Sequence, residues 1–126
     1  MVGIMGFYPE KDKDLDKLLE EYSKEDVYKY FWKVIVDNCF QGLENYRLWQ
    51  NYDDITFKGR LIEELDTIKK MFQRLEKLND KNLEKLKSIL QDAYDAVEVS
   101  EKPRELSIII DEWTPKDVKE KIYSEK

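Results

Sequence analysis

Apolar residues recur at helical spacing along most of the chain, and the polar positions between them mark where one helix stops and the next begins. Leu15, Leu18, Leu19 and Tyr22 predict a short amphipathic helix over 12–22, with carboxylates in its first turns, where the helix dipole favours them. Ser23 then restarts the chain as a cap, with Asp26 three residues later in an aspartate version of the capping box. The helix that follows runs from Lys24 to at least Gln41. Val27, Phe31, Val34 and Asn38 form one stripe on it, and Tyr28, Trp32, Ile35 and Cys39 form a second stripe beside the first. A helix apolar over so much of its circumference belongs in the middle of a bundle or in an oligomer interface. The pattern continues through Leu43, Tyr46 and Trp49, with Gly42 as a kink or stop.

Asn51, Tyr52, Asp53 and Asp54 read as a turn, with Asp54 or Thr56 capping the next helix. Phe57, Leu61, Leu65, Ile68, Phe72 and Leu75 then form a seam of about two and a half heptads, too short for a coiled coil. Asn79 to Asn82 predicts a helix–helix turn, and Leu83, Leu86, Leu90, Ala93, Tyr94 and Val97 the inner face of a returning helix. Beyond Val97 the texture changes. Residues 100–104 contain Pro103 and read as a loop. The β-branched run Leu106 to Ile110 reads as a short strand or extended segment. Thr114 and Pro115 start a terminal helix anchored by Val118 and Ile122. The expectation is an all-α fold: an antiparallel bundle of about four helices in residues 1–99, with 1–11 irregular. Residues 100–126 form a C-terminal appendage of an extended segment and a small helix.

Composition narrows the chemistry more than it narrows the fold. The 126 residues contain no histidine, which removes the commonest general base, the usual zinc ligand and any nucleophile–histidine pair. Cys39 stands alone, in keeping with a reducing compartment. With no cation near it in sequence to lower its pKa, it reads as a packed thiol. The 40% charged fraction, with 18 Lys against 4 Arg and only 4 Gln, follows the tendency of hyperthermophile proteins. The N-terminal nine residues are apolar but interrupted by two glycines and lack a basic flank, so they fail as a signal peptide. No run approaches the roughly 18 apolar residues that span a bilayer. The chain reads as a soluble cytoplasmic protein without a membrane partner.

Three motifs tempt an enzymatic reading, and each lacks a required part. Ile108-Ile109-Ile110-Asp111-Glu112 resembles the strand end that holds magnesium in nucleotide hydrolases, but no glycine begins a phosphate-cradling loop. Asp12, Asp14 and Asp16 open like a calcium loop, yet its sixth and twelfth positions are Lys17 and Ser23, where glycine and glutamate are needed. The carboxylate pairs Glu20/Glu21, Asp53/Asp54 and Glu63/Glu64 could do acid–base work only if burial and neighbours shifted a pKa, and adjacent residues on a helix point apart. Asp37 and Asn38, inside the aromatic helix, are the better candidates for a buried polar site. The expectation is no enzyme, no catalytic residue, no metal and no cofactor.

Two surfaces remain. The first is aromatic: Tyr28, Tyr30, Trp32, Tyr46, Trp49 and Tyr52 are too many for one core, so some are expected on the surface as docking residues. The second is basic. Net charge is −6 over residues 1–68, +4 over 69–91 and −4 over 92–126. The island contains Lys69, Lys70, Arg74, Lys77, Lys81, Lys85 and Lys87, and Lys70, Arg74 and Lys77 share one helix face. The functional expectation is a small acidic interaction module, a regulator, inhibitor or accessory subunit, that docks on a protein partner or on itself as a homodimer through the aromatic helix. The alternative is a small subunit of a nucleic-acid-processing complex that touches the phosphate backbone through Lys69, Lys70, Arg74, Lys77, Lys81 and Lys85. On so acidic a body that contact needs a larger partner to hold it in place.

Overall fold

The computed structural model describes residues 14–78 and 83–124, the last four as backbone only. The expected turn at 79–82, Lys81, the side chain of Ile122 and the irregular N-terminal stretch lie outside the described residues. The elements are α1 (Leu15–Glu21), α2 (Lys24–Tyr52), α3 (Ile55–Glu76), α4 (Leu83–Glu98), α5 (Glu105–Ile108), a π-helical turn (Ile109–Trp113) and α6 (Lys116–Ser124). The fold is all-α, with no strand among the described residues.

The caps at Ser23 and Asp54 fall where the sequence puts them, and Asp14 adds one at the start of α1. Asp14 accepts from the Asp16 amide at 2.9 Å. The Ser23 hydroxyl accepts from the Asp26 amide at 3.1 Å, and Asp54 accepts from the Thr56 amide at 2.9 Å. Between α2 and α3 the chain reverses through Asp53, whose φ of 49° places it in the left-handed region that aspartate tolerates better than most residues. After α4, Ser100 takes φ 60°, and the amides of Ser100 and Glu101 bond back to Val97 and Ala96 in a Schellman closure.

Helices α2 and α3 form the most extensively packed pair. Trp32 meets Phe72, Arg74 lies over Phe31, and Asn45 bonds Glu64, so positions rising along one helix meet positions falling along the other. The same holds for α3 and α4, where Tyr94 bonds Asp66 and Lys87 bonds Glu76. Two consecutive antiparallel hairpins result. Gly42 does not stop α2. A Cβ there would lie 2.8 Å from Leu106 Cδ1 and 3.2 Å from Leu61 Cδ1, so its role is to let neighbouring elements approach.

The unusually wide apolar surface of α2 is covered from several sides within the monomer, since α1, α3, α5, the π turn and α6 all pack on it. Val27, Phe31, Trp32, Ile35, Val36 and Cys39 are consequently buried.

The Leu106–Ile110 segment is helical, which overturns the expected extended conformation. Leu106, Ile109, Ile110 and Trp113 stand at helical spacing. Leu106, Ile109 and Ile110 are buried, with Trp113 packed against the core. Helix α5 lies against both α2 and α4, so this segment fills the wedge between them. β-Branched propensity is a weak preference, and no second strand exists among the described residues to pair with this one. At its end the Thr114 amide and hydroxyl both bond the Ile109 carbonyl, at 3.1 and 3.0 Å. The threonine expected to cap α6 thus closes the π turn. Val118 is buried as an anchor of α6, and Lys119 donates to the Asp111 carbonyl at 2.8 Å. Residues 105–118 therefore contribute to the same core as α2, α3 and α4.

Leu106→Ala should destabilise the whole protein by about 2–5 kcal/mol, as a buried leucine in the common core does. Urea unfolding followed by circular dichroism checks this. A single transition with a lowered midpoint is expected, in place of a separate early melting of the C-terminal segment.

Candidate interaction surface

Most of the aromatic set belongs to the core. Trp32 is 2% exposed, stacked at a tilt on Phe72 with ring centroids 6.5 Å apart, and its indole N–H is buried without an acceptor among the described residues. Tyr30 and Trp49 are also buried, and Tyr28 and Tyr46 are half-buried. Tyr46 packs edge-on to Trp49 at 5.8 Å and donates to the Ser100 carbonyl at 3.3 Å. The expectation that Tyr30, Trp32 and Trp49 are available at the surface is corrected: a core closed by five neighbouring elements has room for them. Tyr52, 70% exposed, is the member of the set that stands in solvent.

The expected buried polar site moves as well. Asp37 is exposed, and the Asn38 amide donates back to the Val34 carbonyl at 2.8 Å on its own helix. The polar pair between helices is Asn45 with Glu64, one turn from Gly42 on the face of α2 that meets α3. Asn45 is buried and Glu64 half-buried. Their signal in the sequence was position: Asn45 continues the stripe Val34, Asn38, Gly42, and Glu64 stands between Leu61 and Ile68 on the seam of α3. Such a pair fixes the register of two helices, because sliding either one strands both polar groups.

The basic island is divided. Lys69, Lys70, Lys77 and Lys85 are exposed. Arg74 is half-buried with its guanidinium 4.9 Å from the Phe31 ring centroid. Lys87 pairs with Glu76 at 2.9 Å, which raises the pKa of its ammonium. Between α3 and α4 runs a groove of about 250 Å³ lined by Lys69, Gln73, Lys87, Leu90, Gln91 and Tyr94. Tyr94 donates to Asp66 at 2.6 Å. Partial burial, then the Asp66 bond and charge, push its pKa up, so the hydroxyl stays protonated and acts as a donor. Burial likewise pushes the Cys39 thiol up, away from nucleophilic use. Asp111 and Glu112 are exposed, and no cluster of three or more metal-ligating side chains occurs among the described residues. No helix there is long and apolar enough to cross a membrane.

The remaining surface signal is apolar. Ile55 is 74% exposed, Tyr52 70% and Val99 65%. Tyr52 and Ile55 flank the α2–α3 reversal. Val99 follows α4 at the same end of the molecule, where Tyr46 of α2 reaches Ser100. No protein-family model matches the sequence, and no curated protein or solved structure matches it either.

Glu64→Ala leaves the buried Asn45 amide without its acceptor and is expected to cost about 1–3 kcal/mol, whereas Glu64→Gln keeps an acceptor and costs less. Thermal or urea unfolding of the two variants checks the order.

Proposed function

We propose that this chain is a non-enzymatic interaction module, an accessory or regulatory subunit, that docks on a protein partner through the apolar end of its bundle. The observation supporting this is the grouping at one end of Tyr52, Ile55 and Val99, the three most exposed large apolar side chains among the described residues. Scattered apolar residues are ordinary on a protein surface, but grouped ones mark contact sites. The scaffold we propose is an antiparallel bundle in which residues 105–113 take the fourth position beside α2, α3 and α4. Its core rigidly fixes the three chain segments that meet at the apolar end. The docking residue contributed by the aromatic helix is then Tyr52, whose ring lies 6.4 Å from that of Phe57.

The second reading, contact with a nucleic-acid backbone, draws support from Lys69, Lys70, Lys77 and Lys85, which are exposed along the α3–α4 side. It is the weaker reading because Arg74 and Lys87 are engaged by Phe31 and Glu76, and the protein's overall charge of −6 repels phosphate.

Capture of the tagged protein from its native lysate, with and without nuclease, separates the two. The first reading expects partners that persist after nuclease, that Tyr52→Ser with Ile55→Ser releases, and that Lys69→Ala with Lys77→Ala retains. Partners lost on nuclease treatment and on lysine replacement would overturn it in favour of the second.

A further inference from the structure

Helix α4 is shorter than the helix it covers. Its 16 residues extend about 24 Å against about 33 Å for the 22 residues of α3. The face of α3 turned to α4 carries Ile55, Ile62, Asp66, Lys69 and Gln73, at intervals of seven, four, three and four. Tyr94 bonds Asp66, and one groove is lined by Lys69 and Gln73 of α3 together with Lys87, Leu90, Gln91 and Tyr94 of α4, so α4 runs alongside this part of the face. Continued one turn beyond the Tyr94–Asp66 bond, the antiparallel register sets Glu98, the last residue of α4, level with Ile62. Ile55, Gly59 and Ile62 continue the face and are exposed among the described residues, as is Val99 just past the end of α4.

Gly59 is the anomaly that gives this face meaning. It lies in the interior of α3, is exposed, and a Cβ there would meet nothing within 4 Å. Glycine at an exposed helix-interior position lowers stability relative to alanine, and no close contact among the described residues compensates here. A second backbone crossing at Gly59, seated between Ile55 and Ile62, would compensate.

The charge around the face selects the occupant. Glu63, Asp95, Glu98 and Glu101 are exposed along its rim, and none forms an ion pair among the described residues. At this end Lys58 lies 5.4 Å from the Trp49 ring and Arg60 5.6 Å from the Phe57 ring, and Lys102 and Arg104 follow α4. We propose that the uncovered face of α3 formed by Ile55, Gly59 and Ile62, with Val99, receives a basic amphipathic helix of a protein partner, which crosses at Gly59 and sets its lysines or arginines against the carboxylate rim. This rests on the interaction reading above and names its partner's chemistry.

The probe is a synthetic 18-residue amidated peptide with leucines at helical spacing and lysines elsewhere. It is titrated into the full chain beside two controls: a scramble of the same composition, and a counterpart with glutamate replacing lysine. Binding is read by calorimetry and by amide shift mapping. The expected result is binding of the patterned lysine peptide at least tenfold tighter than either control, with shifts centred on 55–63 and 95–101. Gly59→Gln should weaken that binding tenfold or more while raising the melting temperature of the free protein by about 2–4 °C, a pairing that a merely structural glycine would not give. Glu63→Lys with Glu98→Lys should weaken it and flatten its salt dependence. Equal binding of the scramble, shifts elsewhere, or unchanged affinity in Gly59→Gln would overturn the proposal. So would a dimer of the free chain, seen by sedimentation, that Gly59→Gln dissociates, since the occupant is then a second copy. These failures leave the capture experiment above untouched, whereas loss of every nuclease-resistant partner there would remove the interaction reading itself.

Discussion

The close approach of α2, α3 and α5 at Gly42 is the constraint on which the rest of the structure depends. Without a Cβ at that position, the side chains of Leu61 and Leu106 come within van der Waals reach of the α2 backbone. One turn along, Asn45 and Glu64 share a hydrogen bond that is satisfied at only one register of the two helices. Apolar packing drives the helices together but is tolerant of sliding. The polar pair and the glycine remove that tolerance.

Once α2 and α3 are fixed, the positions of the other elements follow from what they can bury. Helix α4 packs on α3 through Leu83, Leu86, Leu90, Ala93 and Val97, and the wedge left between α4 and α2 is filled by Leu106, Ile109 and Ile110. At the end of α3 beyond α4, Ile55, Gly59 and Ile62 are exposed among the described residues. The same geometry that completes the core thus leaves an unfinished helix pair at the end where Tyr52 and Val99 also emerge. Charge separates the two ends of that pair: lysines and glutamines line the covered groove, and carboxylates rim the uncovered face.

Much of the helical layout was legible because it is local. Ser23 and Asp54 act as caps through atoms two or three residues away, and the seam from Leu61 to Leu75 is a repeat that any packed helix obeys. The exposed lysines at 69, 70, 77 and 85 were legible for the same reason, but the engagement of Arg74 by Phe31 and of Lys87 by Glu76 joins residues far apart in the chain. The aromatic docking set was misjudged at Tyr30, Trp32 and Trp49 because counting apolar positions on one helix does not say how many neighbours will cover it. The segment from Leu106 to Ile110 is a parallel case: Leu106, Ile109 and Ile110 carried a helical period that the β-branched chemistry of the isoleucines obscured.

By itself the sequence determined an all-α chain, the starts of its main helices, a chemistry without histidine and a surface divided into basic and acidic regions. Each of these is set by residues a few positions apart or by composition alone. Only the tertiary structure decided that the wide apolar face of α2 is covered within one molecule, that the isoleucine-rich segment is helical, and that Ile55, Gly59 and Ile62 are exposed among the described residues. Those outcomes depend on the relative lengths of helices distant in sequence and on which surfaces they bury, quantities that periodicity along one chain segment does not contain.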